Sequence, residues 1–327
     1  MFASWWHRRL GQPLSPSRRS NRPRAYRPRL ELLEDRLAPA THTWTGASGI
    51  DRNWDTDANW MGNSKPVVGE AGPVILNFPS IVDISRNTVN NLPGGTLTVD
   101  QINFTDSDYS LAGASIVVSG ATTPAFTNAG PTNVIDLSMT LNGTSTFQIN
   151  SGDLTVSGSI AGSGGVTKTG PGLLSFSGFS GNANSYTGIT QVLDGVLQVS
   201  KSISALGLIA IPGNLVIGDG TGAAGSAEVQ VNFDDQIADS ATVTANSDGR
   251  LTLNTQQETI ASLDLTGATV QTVNGTLNLL GPVTATSVAG PNGENWENWC
   301  QRIGVSSFFL RELVSVHFFW ASPEKMN

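Results

Sequence analysis

The chain has 327 residues, enough for one or two domains with a sizeable core. Only 13% of residues are charged and 36 are glycine, which argues against long amphipathic helices and for strands cut by many turns. A single cysteine, Cys300, excludes an intrachain disulfide framework and a multi-cysteine zinc site.

The net charge of −8 hides an asymmetry. Residues 1–36 hold nine Arg against three acids, a balance of +6, so the remainder carries −14. A basic arm of this kind is a candidate for nucleic-acid binding, but an acidic body without a basic face speaks against it, and no nucleic-acid partner is expected. Leu30-Glu31-Leu32-Leu33-Glu34-Asp35-Arg36 resembles the Leu-Glu-x-Leu-Glu-Asp-Arg leader of many large exported bacterial proteins. Export is implied by that resemblance, since the segment lacks the apolar core of an ordinary signal peptide. Residues 1–40 are therefore set aside as a basic, disordered export leader.

Residues 41–90 form a Trp-rich module: Trp44, Trp54 and Trp60, then the apolar run Val74-Ile75-Leu76-Asn77-Phe78. Two readings of the tryptophans compete. They cover the open end of a stacked fold, or they form an exposed platform for a glycan. Asp51, Asp55 and Asp57 offer oxygen ligands for calcium, but no Asp-x-Asp-x-Asp-Gly loop frames them, so no metal is assigned.

From residue 91 to 288 a Gly-x-Leu-x-apolar unit recurs, starting at Gly95, Gly152, Gly172, Gly195, Gly213, Gly249 and Gly275. The short intervals suit one coil of a solenoid, and the longer ones two or three coils. Strands of about 4–6 residues cannot bury a core alone, so successive ones must stack, apolar side chains inward. About nine coils at roughly 4.8 Å each give a rod on the order of 40 Å.

The clearest copy lies at 162–200. Gly164-Gly165-Val166-Thr167-Lys168-Thr169-Gly170 leads to Leu174-Ser175-Phe176-Ser177-Gly178. Asn184-Ser185-Tyr186-Thr187-Gly188 then leads to Thr190-Gln191-Val192 and Gly195-Val196-Leu197-Gln198-Val199. The stretch resembles the autotransporter-associated β-strand repeat, with Ile189 where a second glycine is usual and a central turn lengthened by Phe179 to Ala183. The resemblance implies a right-handed parallel β-helix in exported bacterial surface proteins, and no catalytic residues. Residues 207–288 are similar to a segment that commonly follows this repeat.

The tail, residues 289–327, is atypical and rich in aromatics, among them Trp296, Trp299, Phe308, Phe309 and Trp320. It reads either as a cap on the last rung or as the product of a changed reading frame near residue 291. Its apolar run, Ile303 to Trp320, is too short for a membrane span, and the chain has no room for a translocating β-barrel.

Chemistry is sparse. The three histidines, His7, His42 and His317, are scattered, and no phosphate loop or nucleophile elbow is present. Asp234 and Asp235 are the obvious carboxylate pair, but neighbours on a strand point to opposite faces. A lyase would also want a basic side chain, and residues 87–249 supply only Lys168 and Lys201. The expectation is an all-β, right-handed parallel β-helix (β-solenoid) with a Trp-rich N-terminal cap. It is a non-enzymatic structural or adhesive protein at the cell surface or secreted, without cofactors. Its expected partners are surface polysaccharide or other surface proteins, and its state is a monomer or end-to-end self-association. The alternatives are carbohydrate binding through Trp44, Trp54 and Trp60, or a β-helix polysaccharide-degrading enzyme.

Overall fold

A computed structural model describes residues 38–82, 86–178, 183–203, 206–286 and a short strand at 309–310. All of them lie in one unit, Leu37–Asn327. The leader before residue 38 and, apart from 309–310, the tail after residue 286 fall outside the described residues.

Short alternating strands dictate the architecture. Leu174 and Phe176, then Leu197 and Val199, are buried, while the residues between them face outward. No single strand encloses a core with that pattern, so each is stacked on the next. The first sheet runs through eleven strands, from Ala40–Thr43 and Val74–Phe78 to Ser262–Thr266 and Val283–Thr286. The second follows a path of nine, from Asn87–Asn90 to Thr269–Gln271. Every pairing on these paths is parallel, and the result is an all-β parallel solenoid of about nine turns. After a first circuit of 34 residues, from Ala40 to Val74, the turns take between 20 and 28. The Trp-rich segment supplies the opening strands of the first sheet, which continues past residue 90 without a break.

The third face begins as four strands, Leu97–Val99, Ile116–Val118, Met139–Leu141 and Ile160–Gly162. It then has no regular strand until Gln257–Ile260, which pairs with Thr276–Leu279, but it keeps stacking in between. Ser185 N donates to Ile160 O at 2.8 Å and Thr187 N to Gly162 O at 3.0 Å. Higher up, Ala210 N and Ile211 N donate to Gln236 O at 2.8 and 3.0 Å. Side chains take over where backbone partners are missing, because a buried N–H or C=O left alone is costly. Asn184 accepts from Ile160 N at 3.0 Å and donates to Ala210 O at 2.8 Å. Gln236 accepts from Lys201 N and returns a bond to Lys201 O. Glu258 accepts from Gln236 N at 2.9 Å and from Ile237 N.

One expectation is corrected. The Gly-x-Leu-x-apolar unit marks successive coils from Gly152 through Gly172 to Gly195 but not elsewhere. Leu154, Leu174, Leu197 and Leu251 stand on the second sheet, Leu97 on the third face, and Leu215 on the first sheet. The interval from Gly195 to Gly213 therefore crosses between faces. The unit is a strand entry, a glycine that turns a corner followed by two inward side chains, and every face needs one.

Candidate functional site: the aromatic cap and the lysine-filled corners

The N-terminal cap is organised around Phe78, the first phenylalanine of an inward column. Phe78 and Phe104 stack at 5.4 Å, and Trp60 lies over Phe78 at 6.3 Å. Trp44 and Trp54 meet Trp60 edge-to-face at 5.1 and 5.9 Å, an arrangement the aromatic quadrupole favours. Trp54 Nε1 donates to Thr88 Oγ1, and Trp60 Nε1 donates to the Trp54 carbonyl oxygen, both at 2.9 Å. Exposure is 0% for Trp44 and Trp54 and 1% for Trp60. That burial favours the cap over the glycan platform for these three rings. A sugar stacks on an open ring face, and each of these rings is enclosed by its neighbours.

Around that cluster the polar groups are spoken for. The Lys65 ammonium stands 2.9 Å from Asp55 Oδ1 and 3.0 Å from Asp57 Oδ1, and donates to Asp55 O at 2.8 Å. Those bonds, the one from Asp55 first, hold its pKa above the ordinary lysine value. Asp51 turns elsewhere, accepting from Asn53 N, Thr56 Oγ1 and Asn59 Nδ2. The bond from Asn53 N is the main reason its pKa is lowered. The three carboxylates therefore do not converge. His42 bridges Ser64 O at 2.8 Å and Glu70 Oε2 at 3.0 Å, pinning the segment that follows the tryptophans.

The second cluster lies in the repeat itself. Lys168 occupies an inward position, paired in register with Phe147 on one side and Val192 on the other. Its side chain bends to the corner, where Nζ donates to Thr169 O at 3.1 Å, Gly170 O at 2.6 Å and Asp194 O at 3.0 Å. Gly170 and Gly195 turn that corner with φ of +77° and +71°. A Cβ on Gly195 would run into Gly170 O and the ammonium itself. Lys201 repeats the device, donating to Gly158 O at 3.0 Å and Ser177 O at 3.1 Å across three coils. Burial lowers both lysines to about 8. Neither was singled out for this role from the sequence. The signal lay in parity, since Lys168 is two residues from inward Val166 and Lys201 two from inward Val199.

The carboxylate pair singled out for hydrolysis is not buried in a cleft. Asp234 and Asp235 are exposed corner residues, with Asp235 at φ of +53° and Asp234 Oδ1 accepting from Gln257 N at 2.7 Å. The only basic side chains of residues 87–249 are the two lysines withdrawn into carbonyl cages. Among the described residues no group of three or more His, Cys, Asp or Glu is placed to hold a metal. No helix of the described residues is long and apolar enough to cross a membrane.

Comparison with known proteins agrees with the corner geometry. No curated protein and no solved structure matches the chain. Residues 166–199 match the family model described as Passenger-associated-transport-repeat, a repeat typical of autotransporter passenger domains. The match begins on the Lys168 strand, Val166–Thr169, turns the Gly170 corner and ends on the second-sheet strand that starts at Gly195. Ile189 is 49% exposed, so this departure from the usual glycine leaves the core untouched. Of the turn lengthened by Phe179 to Ala183, all but Ala183 lies outside the described residues. Within a parallel β-solenoid, this chain carries a passenger-associated transport repeat at residues 166–199.

Proposed function

We propose that the chain is a non-enzymatic structural or adhesive rod, displayed at the cell surface or secreted. One observation carries this reading. The passenger-type repeat is built into a solenoid in which the fully buried Lys168, Lys201, Asp248 and Glu258 all hydrogen-bond backbone groups of their own chain. Chemistry that acts on a substrate needs such groups turned toward an opening, and these point at carbonyls and amides of their own chain. The leader resemblance supports export, and the acidic body suits an exposed, non-aggregating particle. The test is surface accessibility in the producing cell. Intact cells treated with a broad-specificity protease should lose the protein, or it should be found in the medium. Retention in the cytoplasm, or release of reducing sugar from polysaccharides by the purified chain, would overturn the reading.

A further inference from the structure

The first sheet has a long uncharged outer face that carries side-chain amides. Side chains alternate along each strand, so one column runs outward through Asn77, Asn103, Thr127, Gln148 and Thr169, paired in register. A second runs from Thr146 through Thr167, Gln191 and the apolar Val216 to Thr244. From Thr41 to Thr244, nine successive strands, no outward side chain of this sheet is charged or aromatic; the first charge is Asp264. The body carries −14 and the second sheet's outer face carries Asp153, Glu228 and Arg250; the third face's opening strands are uncharged too, but their outward Thr98, Val117, Thr140 and Ala161 offer no side-chain amide.

The side chains of this face are also tied in place. Asn103 Nδ2 donates to Asn77 Oδ1 at 2.9 Å, and Thr127 Oγ1 donates to Asn103 Oδ1 at 2.6 Å. Rungs repeat at roughly 4.8 Å, and outward residues on one strand lie about 6.7 Å apart. The face is therefore a lattice mainly of amides and hydroxyls, interrupted by Ile75 and Val216, and its Asn77–Asn103–Thr127 stretch is ordered before any ligand arrives, which reduces the entropy cost of binding.

The chemistry narrows the partner. An anionic polymer gains nothing here and is repelled by the surrounding acids. A protein partner, including a second copy, finds no aromatic or Arg anchor on which binding energy concentrates. A long, uncharged chain with a hydroxyl at every short repeat matches the lattice. We infer that the outer face of the first sheet is a docking surface for a neutral polysaccharide, bound by amide and hydroxyl ladders, with the tryptophans taking no part.

This rests on the surface-rod reading, and the experiment separates the two. The full chain is incubated with insoluble cellulose, insoluble β-1,3-glucan and immobilised polygalacturonate, and depletion from solution is measured. Beside it run Gln148→Glu/Gln191→Glu on the first sheet and Gln198→Glu/Gln230→Glu on the second, each checked by circular dichroism. Depletion by a neutral glucan, weakened at least tenfold by the first pair and unchanged by the second, is the expected result. No depletion by either neutral polymer, preference for polygalacturonate, or equal loss from both pairs would overturn the inference. So would concentration-dependent dimerisation abolished by the first pair, which would give the face to a second copy. A folded, surface-exposed chain that binds neither glucan defeats this inference alone, whereas a chain retained in the cytoplasm defeats the rod.

Discussion

Lys168 Nζ lies 2.6 Å from the carbonyl oxygen of Gly170, two residues on, although the Lys168 backbone holds a core position beside Phe147. The pairing turns an inward residue into a corner clasp that also reaches Asp194 O in the following corner. Replacing it with Lys168→Met keeps most of the apolar stem and removes the donors for three carbonyls. Unpaired buried acceptors cost about 1–3 kcal/mol, so the urea midpoint should fall accordingly. A midpoint that stays or rises would mean that water takes over the cage.

The same corners predict an unusual stability profile. Burial raises Glu258 from 4.5 to about 8 despite three backbone N–H donors, so between these values the folded chain keeps a proton that the unfolded chain has lost. Stability therefore falls as pH rises across that window. Lys168 and Lys201 drop from 10.5 to about 8, so above pH 8 the folded chain releases protons that the unfolded chain still holds. Stability then rises up to about pH 10.5. Denaturation midpoints at pH 5, 8 and 10 should pass through a minimum near 8. Glu258→Gln should flatten the limb below 8 only.

Two glycines with similar backbone angles should respond differently to alanine. Gly220, at φ of +84°, has open space where a Cβ would go, so Gly220→Ala should cost only the left-handed conformation, about 1–2 kcal/mol. Gly195 faces the Gly170 carbonyl and the Lys168 ammonium, so Gly195→Ala should cost distinctly more and loosen both neighbouring coils. Equal thermal shifts for the two would refute the clasp as a packed corner.

At the other end, Trp60 touches Trp44, Trp54 and Phe78. Truncation of such a residue costs about 3–5 kcal/mol. Trp60→Ala should lower the thermal midpoint and expose the first rung, seen as binding of a hydrophobic dye. Its affinity for neutral glucans should follow the folded fraction alone.

Much of the fold is legible from alternation. Leu174, Phe176, Leu197 and Val199 declare their inward parity, and glycines at 170 and 195 declare corners, because both depend on nearest neighbours in the chain. The tryptophans are not legible in this way. A Trp suits a roof or a platform equally, and only the placement of Phe78 beneath Trp60, 18 residues away in sequence, separates the two. The third face is harder still beyond Gly162. There the chain has no regular strand until Gln257–Ile260, and Asn184, Gln236 and Glu258 read as ordinary surface polar residues until their partners, over 20 positions away, are known. Sorting units by face needs register, which the Gly-x-Leu-x-apolar pattern does not contain.

That third face sets how the rod would behave under tension. On the first two sheets each coil is zipped to the next by backbone bonds, which share a load evenly. Between residues 184 and 258 the third face depends in part on single side chains bridging adjacent coils. A molecule pulled from its two ends would part there first, giving way in steps of one coil.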